Sequence, residues 1–182
     1  MTPAMCCCVS IIHPVKKLKF LSSKSERLHT VDKRNYSLLH YSCQDGTIET
    51  VEYLVNDIGL DINHEDNEGI TPAMLCSKSS ISPIEKLKFL SSKGANLHTI
   101  DKRNHSLLHI SCAKGIIETV EYLVNDIGLD INHEDNEGLP PAMYCSKSSI
   151  NPIEKLKFLS SKGANLHTVD KHNTSFLHVS CV

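Results

Sequence analysis

The sequence lacks several features that would point to particular classes of protein. It contains no tryptophan, and no stretch in it approaches the roughly 18 consecutive apolar residues that a membrane-spanning helix needs. No excess of one charge is present either, because 19 basic and 21 acidic side chains leave a formal net charge of -2. We therefore expect no membrane span, and neither nucleic acid nor an anionic membrane as the main partner.

The sequence signatures of catalysis and of export are also missing. We find no glycine-rich phosphate loop, nucleophile elbow or HExxH pattern, and we predict a protein that is not an enzyme and uses no cofactor. In the N-terminal MTPAMCCCVSIIHPVKK the basic residues follow the apolar run, the reverse of a secretory signal. The eight cysteines are then expected to be free thiols in a reducing compartment, the cytoplasm.

What the sequence does contain is repetition. DINHEDNEG at 61–69 returns unchanged at 130–138, an offset of 69 residues. The stretch at 90–112, LSSKGANLHTIDKRNHSLLHISC, has close counterparts at 21–43 and 159–181 with the same offset. Repetition over such a long period predicts stacked structural units.

The 69-residue period divides into two types of unit that alternate along a single predicted array, 1–182. Type A begins with DKRN or DKHN, and type B begins with DNEG. The units are a partial B at 1–31, A at 32–65, B at 66–100, A at 101–134, B at 135–169 and a partial A at 170–182.

Arrays of this kind normally close with polar capping units, and neither partial unit here has one. Two interpretations are open. The chain is a fragment of a longer array, or its open ends dock onto another molecule such as a second copy. In both cases we expect 1–31 and 170–182 to fray and the isolated chain to self-associate.

Each unit carries the signals of two helices. In type B, Ser82 is predicted to cap the second helix, with Pro83 at its first position and Glu85 completing a capping box. Gly94 lies just past its end. The first helix of type A is predicted to begin near Ser37. Helices this short are marginal alone, so packing between neighbouring units must stabilise them.

These units resemble ankyrin repeats. Ser-Leu-Leu-His and Thr-Pro-Ala-Met stand where that family has Thr-Pro-Leu-His, and Ile-Glu-Thr-Val-Glu-Tyr-Leu-Val is similar to its second helix. Gly-Leu-Asp-Ile-Asn and Gly-Ala-Asn-Leu-His resemble its Gly-Ala-Asp-Val-Asn tail. The resemblance implies an all-α ankyrin-repeat solenoid of stacked helix-turn-helix units with projecting β-turn fingers, which binds other proteins.

The departures from the family pattern differ between the two types. Type A keeps the histidine of the signature but has leucine for proline, whereas type B keeps the proline but has methionine for histidine. Type B also lacks the glycine between its helices and has one extra residue there. This predicts local irregularity at 77–82 and 146–151.

A His-x-x-Cys pattern recurs in the three type A units and raises the question of a metal site. Successive copies are two repeats apart, roughly 20 Å, since packed helices lie ~8–10 Å apart. Zinc needs four ligands within ~2.0–2.3 Å of the ion, so we predict no metal site. The pairs are His40 with Cys43, His109 with Cys112, and His178 with Cys181.

We predict structural roles for these residues. The cysteines are expected to be small buried residues between helices, and Cys76 and Cys145 receive the same interpretation. By the family resemblance, each histidine is expected to hydrogen-bond near its helix start, at Ser37, Ser106 or Ser175. The thiols of Cys6, Cys7 and Cys8 are the candidate reactive ones if that end is exposed.

Three formal glycosylation acceptors begin with an asparagine at the turn of a type A finger: Asn35, Asn104 and Asn173. In type B the same position is Gly69 or Gly138, where the turn needs a left-handed residue, and asparagine tolerates that conformation next best. We therefore predict a turn rather than a glycan.

The charges of the units also alternate. Fingers that open type B units, HEDNEG, are acidic, and those that open type A units, such as TIDKRN, carry a basic pair. The second helices follow, with Glu49, Glu52 and Asp57 in type A and Lys86, Lys88 and Lys93 in type B. This pattern is explained either by complementarity between neighbouring units or by a striped surface that selects a partner. Glu65 and Asp66 are expected to be ordinary exposed carboxylates.

The predicted function is non-catalytic binding of another protein of unknown identity. By the family resemblance, finger tips and the starts of the first helices make the contacts. An alternative is a structural spacer in a longer array, which the near-identity of the copies favours. The candidate contact residues are Lys33, Arg34, Tyr36, Asn67, Glu68, Ile70, Lys102, Arg103, His105, Asn136, Glu137 and Leu139.

Overall fold

The computed structural model describes residues 2–10, 12–24 and 27–166. Within those ranges the chain forms ten α-helices, and its β-structure is limited to isolated bridges such as Val31 with Ser37. The all-α class is therefore confirmed. The chain divides into two compact units, Met1–Asn96 and Leu97–Val182.

The first unit contains six helices in two rows. The first helices of its three repeats pack side by side in chain order, and so do the second helices. The first helices are α1 (Pro3–Cys8), α3 (Leu38–Asp45) and α5 (Pro72–Ser77), and the second helices are α2 (Pro14–Ser23), α4 (Ile48–Asn56) and α6 (Pro83–Ser92). Fully buried leucines, among them Leu38, Leu54 and Leu87, fill the space between the rows.

The second unit repeats this arrangement with four described helices, α7 (Leu107–Lys114), α8 (Ile117–Asn125), α9 (Pro141–Ser146) and α10 (Pro152–Ser161). Helix α7 packs against α8 and α9, and α10 packs against the same two helices. Its core includes Leu107, Leu123 and Leu159, all with no exposed surface. Both units thus have the predicted stacked helix-turn-helix form.

A serine and a histidine start each described first helix of type A. The backbone amide of Ser37 donates to Nδ1 of His40 at 3.2 Å, in the place that a glutamate has in the usual capping box. Because Nδ1 accepts this bond, the proton lies on Nε2, which donates to the carbonyl of Ile70 at 2.9 Å. The predicted role of His40 is confirmed, and Ser106 and His109 repeat it. Ser175 and His178 lie outside the described residues.

The start of the second helix in type B differs from the prediction. Pro83 does occupy the first turn, but Ser82 has a left-handed backbone with φ 42°, and its side chain makes no capping bond. The capping box predicted for Ser82 and Glu85 is therefore wrong. Because type B has an extra residue and no glycine between its helices, the chain turns there through a left-handed residue. His13 and Asn151 do the same, with φ 49° and 46°, which confirms the predicted irregularity.

Candidate functional site

Each described finger is built around an aspartate whose Oδ1 accepts two backbone amides. Oδ1 of Asp32 accepts from Arg34 at 2.8 Å and from Tyr36 at 2.9 Å. Asp66, Asp101 and Asp135 bind the amides two and four residues further on in the same way. Such side-chain turns fix the finger backbone locally. Asp66 is consequently only 8% exposed, so the expectation that it is an ordinary exposed carboxylate is wrong, whereas Glu65 is exposed.

The asparagines of the formal glycosylation acceptors serve the turn, as predicted. Asn35 and Asn104 have φ 66° and 65°. Their side-chain amides donate to the carbonyls of Glu65 at 2.9 Å and Glu134 at 2.7 Å in the following finger. Asn173 lies outside the described residues.

Neighbouring fingers are tied together through their backbones. The backbone amide of Asn67 donates to the carbonyl of Arg34 at 2.9 Å, and its side-chain amide donates to the carbonyl of Lys33 at 3.1 Å. Asn136 makes the same two bonds to Arg103 and Lys102, both at 3.0 Å. In each unit a basic finger and an acidic finger are thus held at a fixed separation.

The structure places the twelve predicted contact residues in three classes. Two are buried, Tyr36 and Leu139, each 9% exposed. Two are partly buried, Ile70 and His105. The remaining eight are exposed at the finger tips: Lys33, Arg34, Asn67, Glu68, Lys102, Arg103, Asn136 and Glu137. Both asparagines use their amides to join the fingers, so the charged residues supply the remaining exposed groups at the tips.

In the first unit the arginine at the tip of the basic finger stacks on the tyrosine beneath it. The guanidinium of Arg34 lies 4.4 Å from the centre of the Tyr36 ring, and its Nε lies 3.8 Å from Oδ2 of Asp32. The hydroxyl of Tyr41 donates to the same Oδ2 at 2.7 Å. The side chain of Tyr36 therefore supports the tip from below, stacked on the imidazole of His40 at 4.9 Å.

In the second unit a polar cluster replaces these tyrosines. His105 lies with Nδ1 2.9 Å from Oδ2 of Asp101 and Nε2 2.8 Å from the hydroxyl of Tyr144. The same hydroxyl donates to Oδ2 of Asp135. Burial alone would raise the pKa of Asp135, but the bonds from Tyr144 and from two backbone amides outweigh it and lower this pKa.

A lysine of type B that was expected on the charged surface is buried instead. Lys86 has no exposed surface, and its Nζ donates to the carbonyl of Cys43 at 2.9 Å, that of Ser42 at 3.4 Å and the hydroxyl of Ser79 at 3.1 Å. The carbonyl of Ser42 also accepts the backbone amide of Gly46, whereas the last carbonyls of a helix lack intrahelical donors. This ammonium group therefore caps the end of α3. Burial lowers the pKa of Lys86. The assignment of Lys86 to a surface stripe is therefore wrong.

Lys155 repeats the arrangement in the second unit. It is fully buried and donates to the carbonyls of Cys112 and Ser111 at 3.1 and 3.4 Å, and to the hydroxyl of Ser148 at 3.1 Å. The sequence held one signal of this role, since lysine recurs at this place within an apolar helix face. Without the neighbouring helix end, that signal cannot be distinguished from a surface lysine.

The cysteines behave largely as predicted. Cys43, Cys76, Cys112 and Cys145 have no exposed surface, and burial raises the pKa of Cys43 and Cys112. Among the first three cysteines, Cys6 is exposed, Cys7 is partly exposed, and Cys8 is buried with its pKa raised to about 12. Cys181 lies outside the described residues.

The part of the chain that the structure describes contains no group of three or more histidine, cysteine or acidic residues arranged to hold a metal ion. Over the same ranges, no helix is long and apolar enough to cross a membrane.

Comparison with known proteins identifies the family. The model of ankyrin repeats (3 copies) matches residues 4–101 and 82–170, so the chain belongs to the ankyrin repeat family. Over 143 residues it is 31% identical to the human transient receptor potential cation channel subfamily A member 1, covering 78% of this chain and 12% of the channel.

Two other relatives are 27% identical. One is a protein of Acanthamoeba polyphaga mimivirus named for its ankyrin repeats, with 91% of this chain and 20% of that protein covered. The other is alpha-latrotoxin-Lg1a of Latrodectus geometricus, with 76% and 10% covered. The chain therefore spans between 10 and 20% of the length of these relatives.

Proposed function

We propose that this chain is a non-catalytic module that binds another protein through its finger tips. Ankyrin repeats are in general modules of protein–protein interaction, and the exposed charged tips supply the contact groups. The observation that carries the proposal is the pair of hydrogen bonds that joins each acidic finger to its basic neighbour through Asn67 or Asn136.

These bonds matter because binding is weakened by the entropy lost when flexible groups become ordered. In each unit the backbone under the basic pair is already fixed, by the aspartate turn on one side and by the asparagine of the next finger on the other. A partner therefore meets Lys33 and Arg34, or Lys102 and Arg103, on a preformed frame. The guanidinium of Arg34 is itself already stacked on the ring of Tyr36.

The charges define the complementary surface. Glu68 follows Asn67, which is bonded to the backbone of Lys33 and Arg34 in the first unit. Glu137 follows Asn136, which is bonded to the backbone of Lys102 and Arg103 in the second. A suitable partner presents acidic groups to the basic pairs and a basic group to each glutamate. Exposed complementary charges of this kind chiefly speed association and select the partner. A reducing compartment such as the cytoplasm suits the free thiols of the described residues.

The alternative is a structural spacer within a longer array. It is favoured by the near-identity of the copies, because DINHEDNEG is unchanged between 61–69 and 130–138. A surface adapted to one partner usually differs from repeat to repeat. In the spacer interpretation, the finger links serve only to hold neighbouring repeats in register.

Affinity capture followed by mass spectrometry separates the two functions. The test variant carries Lys33→Glu, Arg34→Glu, Lys102→Glu and Arg103→Glu. The matched control carries four reversals on exposed lysines of the second helices or their ends, Lys24→Glu, Lys93→Glu, Lys157→Glu and Lys162→Glu. Circular dichroism checks that both variants keep the helical fold.

We expect a partner that the native chain and the control capture and that the finger variant loses. Equal capture by all three proteins would contradict binding through the fingers. The absence of any reproducible partner would favour the spacer.

A further inference from the structure

A pair of cysteines lies between the first helices of two consecutive repeats in each unit. In the first unit the pair is Cys43 of α3 and Cys76 of α5, two helices that pack against each other. The thiol of Cys43 donates a hydrogen bond to the sulfur of Cys76, and neither residue has exposed surface. Cys112 of α7 and Cys145 of α9 repeat the bond and the burial in the second unit.

The contact between the two sulfurs has a chemical consequence that packing alone does not have. Close packing of these helices requires small side chains, and cysteine satisfies that requirement at each position. A hydrogen bond between two thiols, however, also brings two oxidisable atoms together. Only a modest further approach then separates them from the S–S distance of a disulfide, about 2.05 Å.

A buried lysine supplies positive charge beside each pair of thiols. Nζ of Lys86 donates to the carbonyl of Cys43 at 2.9 Å, and its charge acts on both thiols of the first unit. Lys155 has the same position beside the second pair. Positive charge favours the thiolate, the form that reacts with oxidants. Burial opposes it and raises the pKa of Cys43 and Cys112, so we expect a slow reaction that depends on local opening of the repeat.

We propose that each unit carries a redox-sensitive modification site, in which the two paired thiols form a disulfide on exposure to a peroxide. The pairs are Cys43 with Cys76 and Cys112 with Cys145. One S–S bond replaces two S–H bonds, so the thiols give up two protons and two electrons. The peroxide takes them up as its O–O bond breaks, and hydrogen peroxide yields two molecules of water. A dithiol reverses the step by thiol–disulfide exchange.

Each disulfide joins a type A repeat to the type B repeat that follows it in the same unit. It closes a loop that runs from residue 43 to 76, or from 112 to 145, and thereby restricts the unfolded chain. Oxidation should therefore raise the urea concentration at which the helices unfold. Reduction should return that concentration to its original value.

Peptide mapping of the oxidised chain tests the pairing. The native chain is treated with hydrogen peroxide at low protein concentration, its remaining thiols are blocked, and it is cleaved after glutamate without reduction. The four cysteines then lie on separate peptides, because cleavage sites between them include Glu49, Glu68, Glu118 and Glu137. Mass spectrometry is expected to find one link within each unit, and a dithiol should abolish both.

The two units serve as matched controls for each other. Cys43→Ser should abolish the link of the first unit and preserve that of the second, and Cys112→Ser should do the reverse. Cys6→Ser should preserve both links, although Cys6 is exposed and is expected to react first in the native chain. Circular dichroism checks that each variant keeps its helices.

Three results would overturn the proposal. One is that the paired cysteines remain free thiols after prolonged treatment that fully oxidises Cys6. Another is oxidation of the paired cysteines to sulfinic or sulfonic acids without a link. The third is a mixture of links in native buffer that matches the mixture formed by the chain unfolded in urea, since the fold would then not select the partners. An unchanged urea midpoint after complete linkage would contradict the stabilising effect.

Discussion

The two basic fingers have the same backbone conformation, but the side chains beneath them differ between the two units. In the first unit Asp32 is accompanied by Tyr36 and Tyr41, and in the second Asp101 is accompanied by His105 and Ile110. Oδ1 of each aspartate accepts the same pair of backbone amides. The partner of Oδ2 changes from the hydroxyl of Tyr41 to the imidazole of His105.

This difference shows which carboxylate oxygen of the aspartate forms the finger turn. Oδ1 and its amides form the turn in every described finger, whereas Oδ2 takes whatever donor the local sequence offers. In the second unit this freedom connects two fingers, because Tyr144 and His105 both reach the neighbouring Asp135. The finger backbone is thus independent of the cluster beneath it.

The largest expected effect tests whether the two units are equivalent away from their fingers. Leu54 and Leu123 occupy the same position in α4 and α8, whose sequences are identical, and neither is exposed. Leu54→Ala and Leu123→Ala should each lower the free energy of unfolding by ~2–5 kcal/mol, through lost burial and the cavity left behind. Urea denaturation measures both. Strongly unequal losses would show that differences between the units reach the core.

The next largest effect is expected from acidification, which should destabilise the second unit by protonating His109. The pKa of His109 is lowered from 6.5 to about 4, chiefly by burial; His105 and His133 also lower it, while the hydrogen bond to the Leu139 carbonyl and the charge of Asp135 oppose the shift. The folded protein keeps His109 neutral, whereas the unfolded chain takes up the proton more readily. Stability is therefore complete above pH ~6.5 and is lost as pH falls to ~4, by about 3 kcal/mol at ~1.4 kcal/mol for each pKa unit.

The variant His105→Tyr gives the second unit the residue of the first and removes a neighbour whose positive charge disfavours protonation of His109. The loss of stability on acidification, followed by urea denaturation at several pH values, should become smaller. His40 of the first unit is the reference for this comparison. Its pKa is also lowered mainly by burial, but its neighbouring ring is Tyr36 in place of a histidine. An unchanged dependence of stability on pH would show that His105 does not determine the acid sensitivity of the second unit.

The tyrosine hydroxyls that donate to Asp135 and Asp32 should contribute unequally to the free energy of unfolding. The side chain of Asp135 is 2% exposed and that of Asp32 is 20% exposed, so the bond from Tyr144 is better shielded from water than the bond from Tyr41. We expect Tyr144→Phe to cost about 1.5–3 kcal/mol, the range for bonds to charged groups, and Tyr41→Phe about 0.5–1 kcal/mol. Thermal or urea unfolding compares them, and a larger loss for Tyr41→Phe would refute the ranking.

The smallest expected difference in stability between the units comes from the arginines at the finger tips. Arg34 lies over the ring of Tyr36, and the corresponding Arg103 has His105 at that position. Arg34→Gln should cost about 0.5–1 kcal/mol, the value of an exposed cation–π contact, and Arg103→Gln should cost less. Unfolding of the two variants under the same conditions would show whether the tyrosine supports its tip.

Much of the fold followed from the sequence because the repeat supplies its own internal alignment. The left-handed asparagines and the capping histidines each depend on residues close in the chain. Lys86 was assigned to the surface because a lysine beside an apolar stripe is normally solvated, and its burial depends on carbonyls 43 and 44 residues away. Ser82 was misassigned because Ser-Pro-Ile-Glu fits a capping box only when the chain enters the helix in extended conformation.

The binding surface was less predictable than the fold. The charged tips could be located from the turn pattern alone. Asn67 and Asn136 join fingers through carbonyls of the preceding repeat, 34 residues earlier in the chain. The burial of Tyr36 and Leu139 is likewise not visible in the turn pattern.

The buried lysine also bears on how such a chain can grow by gene duplication. In both described cases its ammonium group is buried against the end of a preceding type A helix. A type B repeat copied alone would follow another type B repeat, whose first helix is shorter, six residues at Pro72–Ser77 against eight at Leu38–Asp45, and so places its last carbonyls differently. A buried charge without its acceptors is strongly destabilising. The segment that can be duplicated without loss is therefore the A–B pair, and the near-identity of the copies at 69 residues, twice the length of one repeat, is what inheritance in pairs would leave behind.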